Sequence, residues 1–223
     1  MNFQSNISIL VNEQVYLKSP ESSKLGQKII RGSIDLIDEL GFEDFTFKKL
    51  ASSIQSTEAS IYRYFESKHH LLVYLVLWYW GWLEYRMHLR LANIENPKER
   101  LKRAVSVLTE KITEDSNFSQ INEVKLNRIV ISEASKIYLN KKVDSENELG
   151  FFLPYKRLVA LVSDIITEIN PDFKYPHMLV STVIEGANHQ HFFAEHLPRL
   201  TDCCDDEDAI SHFYQELVLN EIK

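Results

Sequence analysis

Apolar residues in this chain recur at steps of three and four, and few residues interrupt the runs that they form. Ile30, Ile34, Ile37 and Leu40 follow this spacing, which places them on one face of an α-helix. Gly and Pro, the residues that most often end helices, number only six each among 223 residues. The spacing and the scarcity of these residues together predict an all-α protein.

Residues that begin and end helices divide the chain into about nine of them. Gly41 is expected at the C-terminal cap of the first helix, and Thr46 and Thr57 are expected N-caps of two short helices. A long fourth helix is expected from Lys68 to about Arg90. The later helices are predicted at residues 97–113, 118–140, 154–170, 176–197 and 209–221, with a loop at 141–150.

This division predicts three segments of different character. Residues 21–67 hold the first three helices as an N-terminal domain, and residues 68–223 form a larger helical domain. Residues 1–20 have no helical period and are expected to form an N-terminal arm. Their alternation of apolar and polar residues is typical of a strand, but one short strand is marginal by itself.

Composition and apolar run lengths exclude several classes of protein. An apolar content of 44% and a charged content of 26% are typical of a globular protein with a buried core. The longest apolar stretch, from Leu71 to Leu83, is shorter than the ~20 residues that a membrane span needs. The only cysteines, Cys203 and Cys204, are adjacent, and the N-terminus has no secretory pattern. We therefore expect a cytoplasmic protein without membrane contact.

The second and third helices have the spacing of a helix-turn-helix. They are predicted at about residues 46–53 and 57–65, with a turn of three or four residues between them. Ile61 and Phe65 can face inward and brace the third helix. Its outer surface would then carry polar groups that can reach bases and phosphates, from Ser60, Tyr62, Arg63 and Tyr64. Short amphipathic helices are common, so the spacing alone leaves other functions open.

A series of short motifs accompanies these helices at fixed spacing. It consists of Gly41-Phe42, Thr46, Leu50-Ala51, Thr57-Glu58-Ala59-Ser60-Ile61-Tyr62-Arg63-Tyr64-Phe65, Lys68 and Leu71-Leu72. The series resembles the N-terminal signature of the TetR family of transcriptional regulators over about residues 24 to 73. Its combined spacing is far more specific than any single dipeptide, and the nine-helix pattern downstream agrees with the fold of that family.

The resemblance implies a ligand-responsive regulator that binds double-stranded operator DNA and is released by a small-molecule effector. It therefore implies a repressor with a helix-turn-helix domain and a C-terminal ligand-binding and dimerisation domain. The positions that match the DNA-contacting ones of the family are Thr46, Lys48, Thr57, Ser60, Tyr62, Arg63, Tyr64 and Lys68.

Three residues depart from the family pattern around the turn. Gln55 stands where Gly is usual, Ser56 replaces an apolar residue, and Glu58 replaces a basic or polar one. A non-Gly residue at the turn is expected to adopt a strained backbone or a different turn. Glu58 suits the helix dipole but repels phosphate. These departures bear on the affinity and on the operator.

The charge balance is an objection to DNA binding. The chain has a net charge of −7, and residues 21–70 hold seven basic and eight acidic side chains. The acids concentrate near the end of the first helix, at Asp35, Asp38, Glu39, Glu43 and Asp44. Most cations lie elsewhere, at Lys24, Lys28, Arg31, Lys48, Arg63 and Lys68. A weak basic face and few phosphate contacts are therefore expected.

Aromatic residues of the fourth helix point around all its sides and admit two interpretations. They form ordinary core, or some of them line a cavity for an effector. The residues predicted to line that cavity, among helices four to seven, are Trp82, Tyr85, His88, Phe152 and Tyr155. Their flat apolar surface favours an aromatic or lipid-like compound. Gly81 within this helix indicates close packing or a hinge.

Two apolar stripes near the C-terminus predict a homodimer through residues 176–197 and 209–221. One stripe consists of Leu179, Val183, Gly186, Gln190, Phe193 and Leu197, and the other of Ile210, Phe213, Leu217 and Glu221. Ser181, Thr182, Gly186 and Ala187 are small enough for close helix approach. The alternative is that both stripes cover the core of the same chain.

Other arrangements of reactive residues are weaker. His189, His191 and His196 with Glu185 and Glu195 suggest a metal site, but the helical spacing directs them away from one another. Gly-rich phosphate loops, Gly-x-Ser-x-Gly and Cys-x-x-Cys motifs do not occur. We therefore predict no metal, no cofactor and no enzyme activity. An all-helical enzyme and a helical adaptor without DNA binding remain the alternatives.

Overall fold

The computed structural model describes residues 9–114, 121–203, 206 and 208–223. These residues contain eleven α-helices and no β-strand, which confirms the all-α prediction. The helices are α1 Lys24–Asp44, α2 Phe47–Ser53, α3 Glu58–Tyr62, α4 Lys68–Leu91, α5 Pro97–Thr109, α6 Glu123–Glu133, α7 Ser135–Tyr138, α8 Val143–Glu148, α9 Leu153–Ile169, α10 Pro176–His196 and α11 Ala209–Glu221.

Local capping signals account for most helix ends. Asn96 begins α5, where its side-chain oxygen accepts hydrogen bonds from the amides of Lys98 and Glu99 at 2.9 and 3.2 Å. Gly41 interrupts α1 with a positive φ of 76°, so the regular helix ends there and a further turn runs to Asp44. Helix boundaries set by such local chemistry were predicted within a few residues.

The count of nine helices is wrong in the region of α6 to α8. The helix predicted over 118–140 is two helices, and Asn140 ends the second by donating to the carbonyls of Lys136 and Ile137. Residues 115–120, where that helix was to begin, lie outside the described residues. The predicted loop at 141–150 contains α8, whose buried Glu146 lies 2.6 Å from His69. This tertiary pair favours a helix in a polar segment.

The chain divides into two compact units. The first unit comprises Met1–Gly81 and Ile112–Leu153, and the second comprises Trp82–Lys111 and Pro154–Lys223. In the first unit α1 packs mainly on α6 and α2 packs on α3, while in the second α5, α10 and α11 pack on one another. The functional boundary expected after residue 67 stays a prediction.

The first-unit part of α4 is the core of that unit. All ten residues from 71 to 80 are buried, so this stretch is covered on every side. The predicted N-terminal arm packs into the same unit over residues 9–19, with Ile9, Val11 and Val15 buried. Among the described residues, no helix is long and apolar enough to cross a membrane.

In the second unit, the exposed face of α10 is displaced by one position along the chain from the predicted stripe. Val183 is buried, and Gly186 faces α11, where a Cβ would lie 2.1 Å from the Tyr214 hydroxyl. The exposed face consists of Met178, Thr182, Glu185, His189, Phe192 and His196. On α11, Ile210 is buried while Phe213, Leu217 and Glu221 are exposed. Of the predicted α10 stripe, Val183 is buried in the same unit and Leu197 is exposed, so the dimer stays a prediction.

Candidate nucleic-acid interface

Helices α2 and α3 form the helix-turn-helix, and two threonines begin them. The Thr46 hydroxyl accepts from the Lys49 amide at 3.2 Å, and the Thr57 hydroxyl accepts from the Ser60 amide at the same distance. Both threonines are therefore N-caps, as predicted. Because the caps fix where each helix starts, they also fix which side chains each helix directs outward.

The turn between the two helices depends on Gln55. This residue has a φ of 54°, in the left-handed region that glycine adopts without strain. The Ser56 amide donates to the Ala51 carbonyl at 2.8 Å, and the Gln55 amide donates to the Ser52 carbonyl at 3.3 Å. This pair of bonds ends α2 in a Schellman motif. The turn thus forms with glutamine at its left-handed position.

The inner side of α3 and of the turn that follows it comprises Ile61, Tyr64 and Phe65, all buried. The prediction that Tyr64 lies on the outer surface is wrong, because only 3% of it is exposed. Residues three and four positions after Ile61 share its face, so Tyr64 turns inward with Phe65. Its hydroxyl lies 2.7 Å from the Ser23 hydroxyl, which caps α1. Tyr64 therefore joins α3 to α1 in this structure.

The outer face of α3 carries polar groups that can reach a DNA groove. Thr57 and Arg63 are exposed, Ser60 is half-buried, and its hydroxyl lies 2.9 Å from that of Thr57. Tyr62 is 49% exposed, and its ring packs edge-on against Phe47 at 5.0 Å. That contact holds the Tyr62 ring against α2.

Two lysines predicted to meet phosphates differ in their surroundings. Lys48 is exposed on α2, as Thr46 is at its N-cap. The Lys68 ammonium instead donates to the carbonyls of Phe42, Glu43 and Phe45, at 3.0, 3.2 and 3.4 Å. It thereby satisfies carbonyls that the end of α1 leaves free. The phosphate role of Lys68 stays a prediction, whereas its structural role is part of the fold.

The acidic side chains of α1 are matched by cations on α6 and α7. Arg128 binds Asp38 with two hydrogen bonds of 2.8 and 2.7 Å, and Lys125 donates to Asp35. Lys136 lies 2.7 Å from Glu43. Three of the five acids that oppose DNA binding in the sequence, Asp35, Asp38 and Glu43, are therefore paired within the first unit.

The ionisation of these groups follows the pairing. The hydrogen bond from Lys136 holds the pKa of the Glu43 carboxyl below its usual value. The hydrogen bond to Asp35 raises the pKa of Lys125. Glu43 and Lys125 are therefore charged at neutral pH. Since the groups are largely solvated, each pair contributes little to folding stability, and its main effect is on the local charge.

The residues predicted to line an effector cavity fall into both units. Trp82, Tyr85, His88 and Tyr155 belong to the second unit, and Phe152 to the first. Trp82 is fully buried under the Arg86 guanidinium, 4.7 Å from its ring. His88 is exposed, so its predicted place in a cavity wall is wrong. It follows Met87, which faces the core, and a helix turns adjacent residues to different sides.

Polar atoms on the aromatic residues find partners inside each unit. In the second unit Tyr155 donates to Glu185 at 3.2 Å, and burial raises the pKa of the Tyr155 hydroxyl. In the first unit Trp80 donates to the Tyr138 hydroxyl at 2.6 Å, and the Tyr138 ring packs edge-on against Phe152. Tyr138 was absent from the predicted set, because its apolar surroundings depend on packing and not on spacing.

The histidines weighed as metal ligands have other partners. His191 lies 2.9 Å from the Thr109 carbonyl, and burial lowers the pKa of its imidazole. His189 stacks on Phe193 at 6.0 Å. No group of three or more metal-ligating side chains occurs among the described residues. Cys204, the second of the adjacent cysteines, lies outside them.

These features define a class: a DNA-binding regulator with a helix-turn-helix followed by further helices. Residues 29–75 match the family model described as bacterial regulatory proteins, tetR family. The match covers most of α1, both helices of the helix-turn-helix and the start of α4. No curated protein sequence matches it.

Solved structures of similar fold include several regulators. FadR, the fatty acid degradation regulator of Bacillus halodurans, is 16% identical with a TM-score of 0.60, over 86% of this chain and 96% of its own. AibR in complex with isovaleryl coenzyme A and operator DNA is 16% identical with a TM-score of 0.61, over 86% and 97%. FadR from Bacillus subtilis in complex with stearoyl-CoA is 18% identical with a TM-score of 0.60, over 88% and 98%. At these identities the likeness concerns the fold.

Replacing Gln55 with glycine is expected to stabilise the protein by about 1 kcal/mol, because glycine removes the cost of a left-handed backbone. Urea unfolding followed by circular dichroism measures the change. Ser52→Gly is the control, since Ser52 lies in regular helix, where glycine destabilises by ~0.5–1 kcal/mol. A Gln55→Gly variant no more stable than the parent would show that the turn is not strained.

Proposed function

We propose that this chain is a transcriptional repressor that binds a duplex operator through α3. The observation that carries the proposal is the division of α3 into two faces. Ile61 and Phe65 are fully buried, while Thr57, Tyr62 and Arg63 are directed outward. A braced helix with polar outer groups is what major-groove recognition needs. We assign the chain a binding role and not a catalytic one, in the cytoplasm where bacterial DNA lies.

Arg63→Ala is expected to weaken binding to a selected duplex about ten- to a hundredfold, because an arginine–base contact contributes ~1–3 kcal/mol. Lys48→Ala is expected to lower affinity equally for all sequences and to reduce the salt slope by about one. Fluorescence anisotropy at several salt concentrations measures both effects, with duplexes selected from a random pool by the parent protein. Lys102→Ala, which removes an exposed lysine of α5, is the control. Failure of the parent to enrich any sequence at low salt would contradict the proposal.

We also propose a homodimer formed by the exposed faces of α10 and α11. Met178, Phe192, Phe213 and Leu217 are exposed on these two helices, which pack on each other in the second unit. Several large apolar side chains on neighbouring helices are typical of an interaction surface. A second copy is the partner that function requires, since two recognition helices must meet major grooves about 34 Å apart.

Phe213→Glu is expected to convert the dimer into a monomer, because it would bury a carboxylate in an apolar interface. Sedimentation equilibrium at micromolar concentration measures the mass, and circular dichroism checks the fold. Leu89→Glu is the matched control: Leu89 is 58% exposed and Phe213 57%, but Leu89 lies on α4. A parent protein that sediments as a monomer would rule out the dimer.

The third part of the proposal is an effector with an apolar acyl or aromatic group. Trp82, Tyr85 and Tyr155 supply aromatic surface in the second unit, and Tyr155 with Glu185 supplies a polar pair. Two of the matched structures contain acyl-CoA thioesters, so these are the first compounds to screen. The effector must bind more tightly to the conformation that does not fit DNA. A tenfold loss of DNA affinity requires about 1.4 kcal/mol of such preference.

Acyl-CoA thioesters, free fatty acids and aromatic acids are expected to differ in a tryptophan-fluorescence titration. Trp78, Trp80 and Trp82 all lie buried on α4, so a ligand that packs on this helix changes their emission. The active class should give a saturable change and release bound DNA at the same concentration. His88→Ala should leave the titration unchanged, whereas Tyr155→Ala should weaken it. If no compound gives a saturable change, the aromatic residues are core alone.

A further inference from the structure

The N-terminal arm, residues 9–19, is fastened to the first unit at several separate points. Ile9 is 7% exposed and lies against Gly81 of α4, where a Cβ would come within 2.7 Å of the Ile9 Cγ2. The Asn12 side chain donates to the Leu149 carbonyl at 2.8 Å, just after α8. Val15 is fully buried. These contacts form a continuous path along one compact unit.

The C-terminal end of the same arm contacts the segment that follows α3. The Leu17 amide donates to the Tyr64 carbonyl at 2.8 Å, two residues beyond the end of α3. The Tyr16 ring packs edge-on against Tyr74 at 6.0 Å, and Tyr74 packs in the same way on Phe65 at 5.5 Å. The Lys18 ammonium lies 5.2 Å from the centre of the Tyr64 ring. The arm therefore contacts Tyr64 directly and reaches Phe65 through Tyr74.

We propose that residues 9–19 act as a strap that positions α3 for DNA, so that the arm is functionally part of the DNA-binding domain. This inference rests on the proposed function, because it concerns the orientation of the same helix. Leu17 and Tyr16 are its positioning residues at α3, and Ile9 and Asn12 are its anchors at the other end.

The physical reason is the shortness of α3. A helix of five residues has no inner stripe long enough to fix its own direction, and its final carbonyls lack partners within the helix. Ile61 fixes one point of α3, and the segment after it must fix a second. The bond from Leu17 to Tyr64 and the Tyr16–Tyr74–Phe65 packing hold that segment. Loosening the strap therefore changes the direction of Tyr62 and Arg63 while leaving their side chains intact.

Ile9, the anchor of the strap, packs so closely on Gly81 that a larger residue at position 81 has little room. It lies inside α4, where alanine would favour the helix, and it leaves the space that the Ile9 side chain fills. Gly81→Ala should displace Ile9 although no residue of the arm or of α3 and no exposed residue is substituted. Alanine stabilises α4 itself, whereas its Cβ displaces the Ile9 anchor. A loss of DNA affinity in this variant therefore cannot be attributed to a less stable α4.

The experiment compares Ile9→Asp with Leu10→Asp in the full chain. The two residues are adjacent, but Leu10 is 88% exposed, so the same charge is added with and without loss of the anchor. The probe is the duplex that the parent protein selects from a random pool, with an unrelated duplex as reference. Ile9→Asp is expected to lower affinity for the selected duplex at least tenfold and to leave affinity for the unrelated duplex unchanged. Leu10→Asp is expected to behave as the parent.

Gly81→Ala provides the second variant in case Ile9→Asp fails to fold. It is expected to lower the ratio of selected to unrelated affinity without lowering the thermal midpoint, and to speed amide exchange at Leu17. A change in stability alone, with that ratio unchanged in both variants, would overturn the strap. A parent protein that selects no duplex would instead overturn the proposed function, and exchange at Leu17 would still report whether the arm holds α3.

Discussion

The burial of α4 on every side, from residue 71 to residue 80, is the constraint on which the first unit depends. A helix covered all around needs neighbours on each face, and the polar atoms of its aromatic residues need partners among them. Trp80 finds the Tyr138 hydroxyl on α7, and Tyr79 accepts a hydrogen bond from Asn127 on α6 at 2.8 Å. On another face Tyr74 packs against Tyr16 of the arm. The short helices α6 and α7 and the arm are thus arranged by what α4 must bury.

Local chemistry explains why much of the fold could be predicted from sequence. Thr46, Thr57 and Pro176 mark helix starts through bonds and backbone angles that depend on a few adjacent residues. The helix-turn-helix could be located for the same reason. Gln55 was expected to adopt a strained backbone or a different turn, and its positive φ is the first of these. At these positions, a short window of sequence holds all the interactions that decide the structure.

The features that were predicted wrongly depend mainly on which face of a helix is buried. On α10 the close approach of Tyr214 to Gly186 turns that side of the helix toward α11. The burial of Tyr64 could have been predicted from its spacing to Ile61, because the helical period already placed both on one face. Helix α8 required knowledge that Glu146 meets His69, from a segment 77 residues away. No pattern in a polar stretch indicates such a pair.

The pairing of α1 with α6 has a consequence for recombination and protein engineering. Residues 29–75, which the family model matches, include Asp35, Asp38 and Glu43 but not the cations that pair with them. Moving this segment alone into another protein would leave three carboxylates without the cations that pair with them here. The portable module is therefore discontinuous, and it must carry α6 and α7 as well.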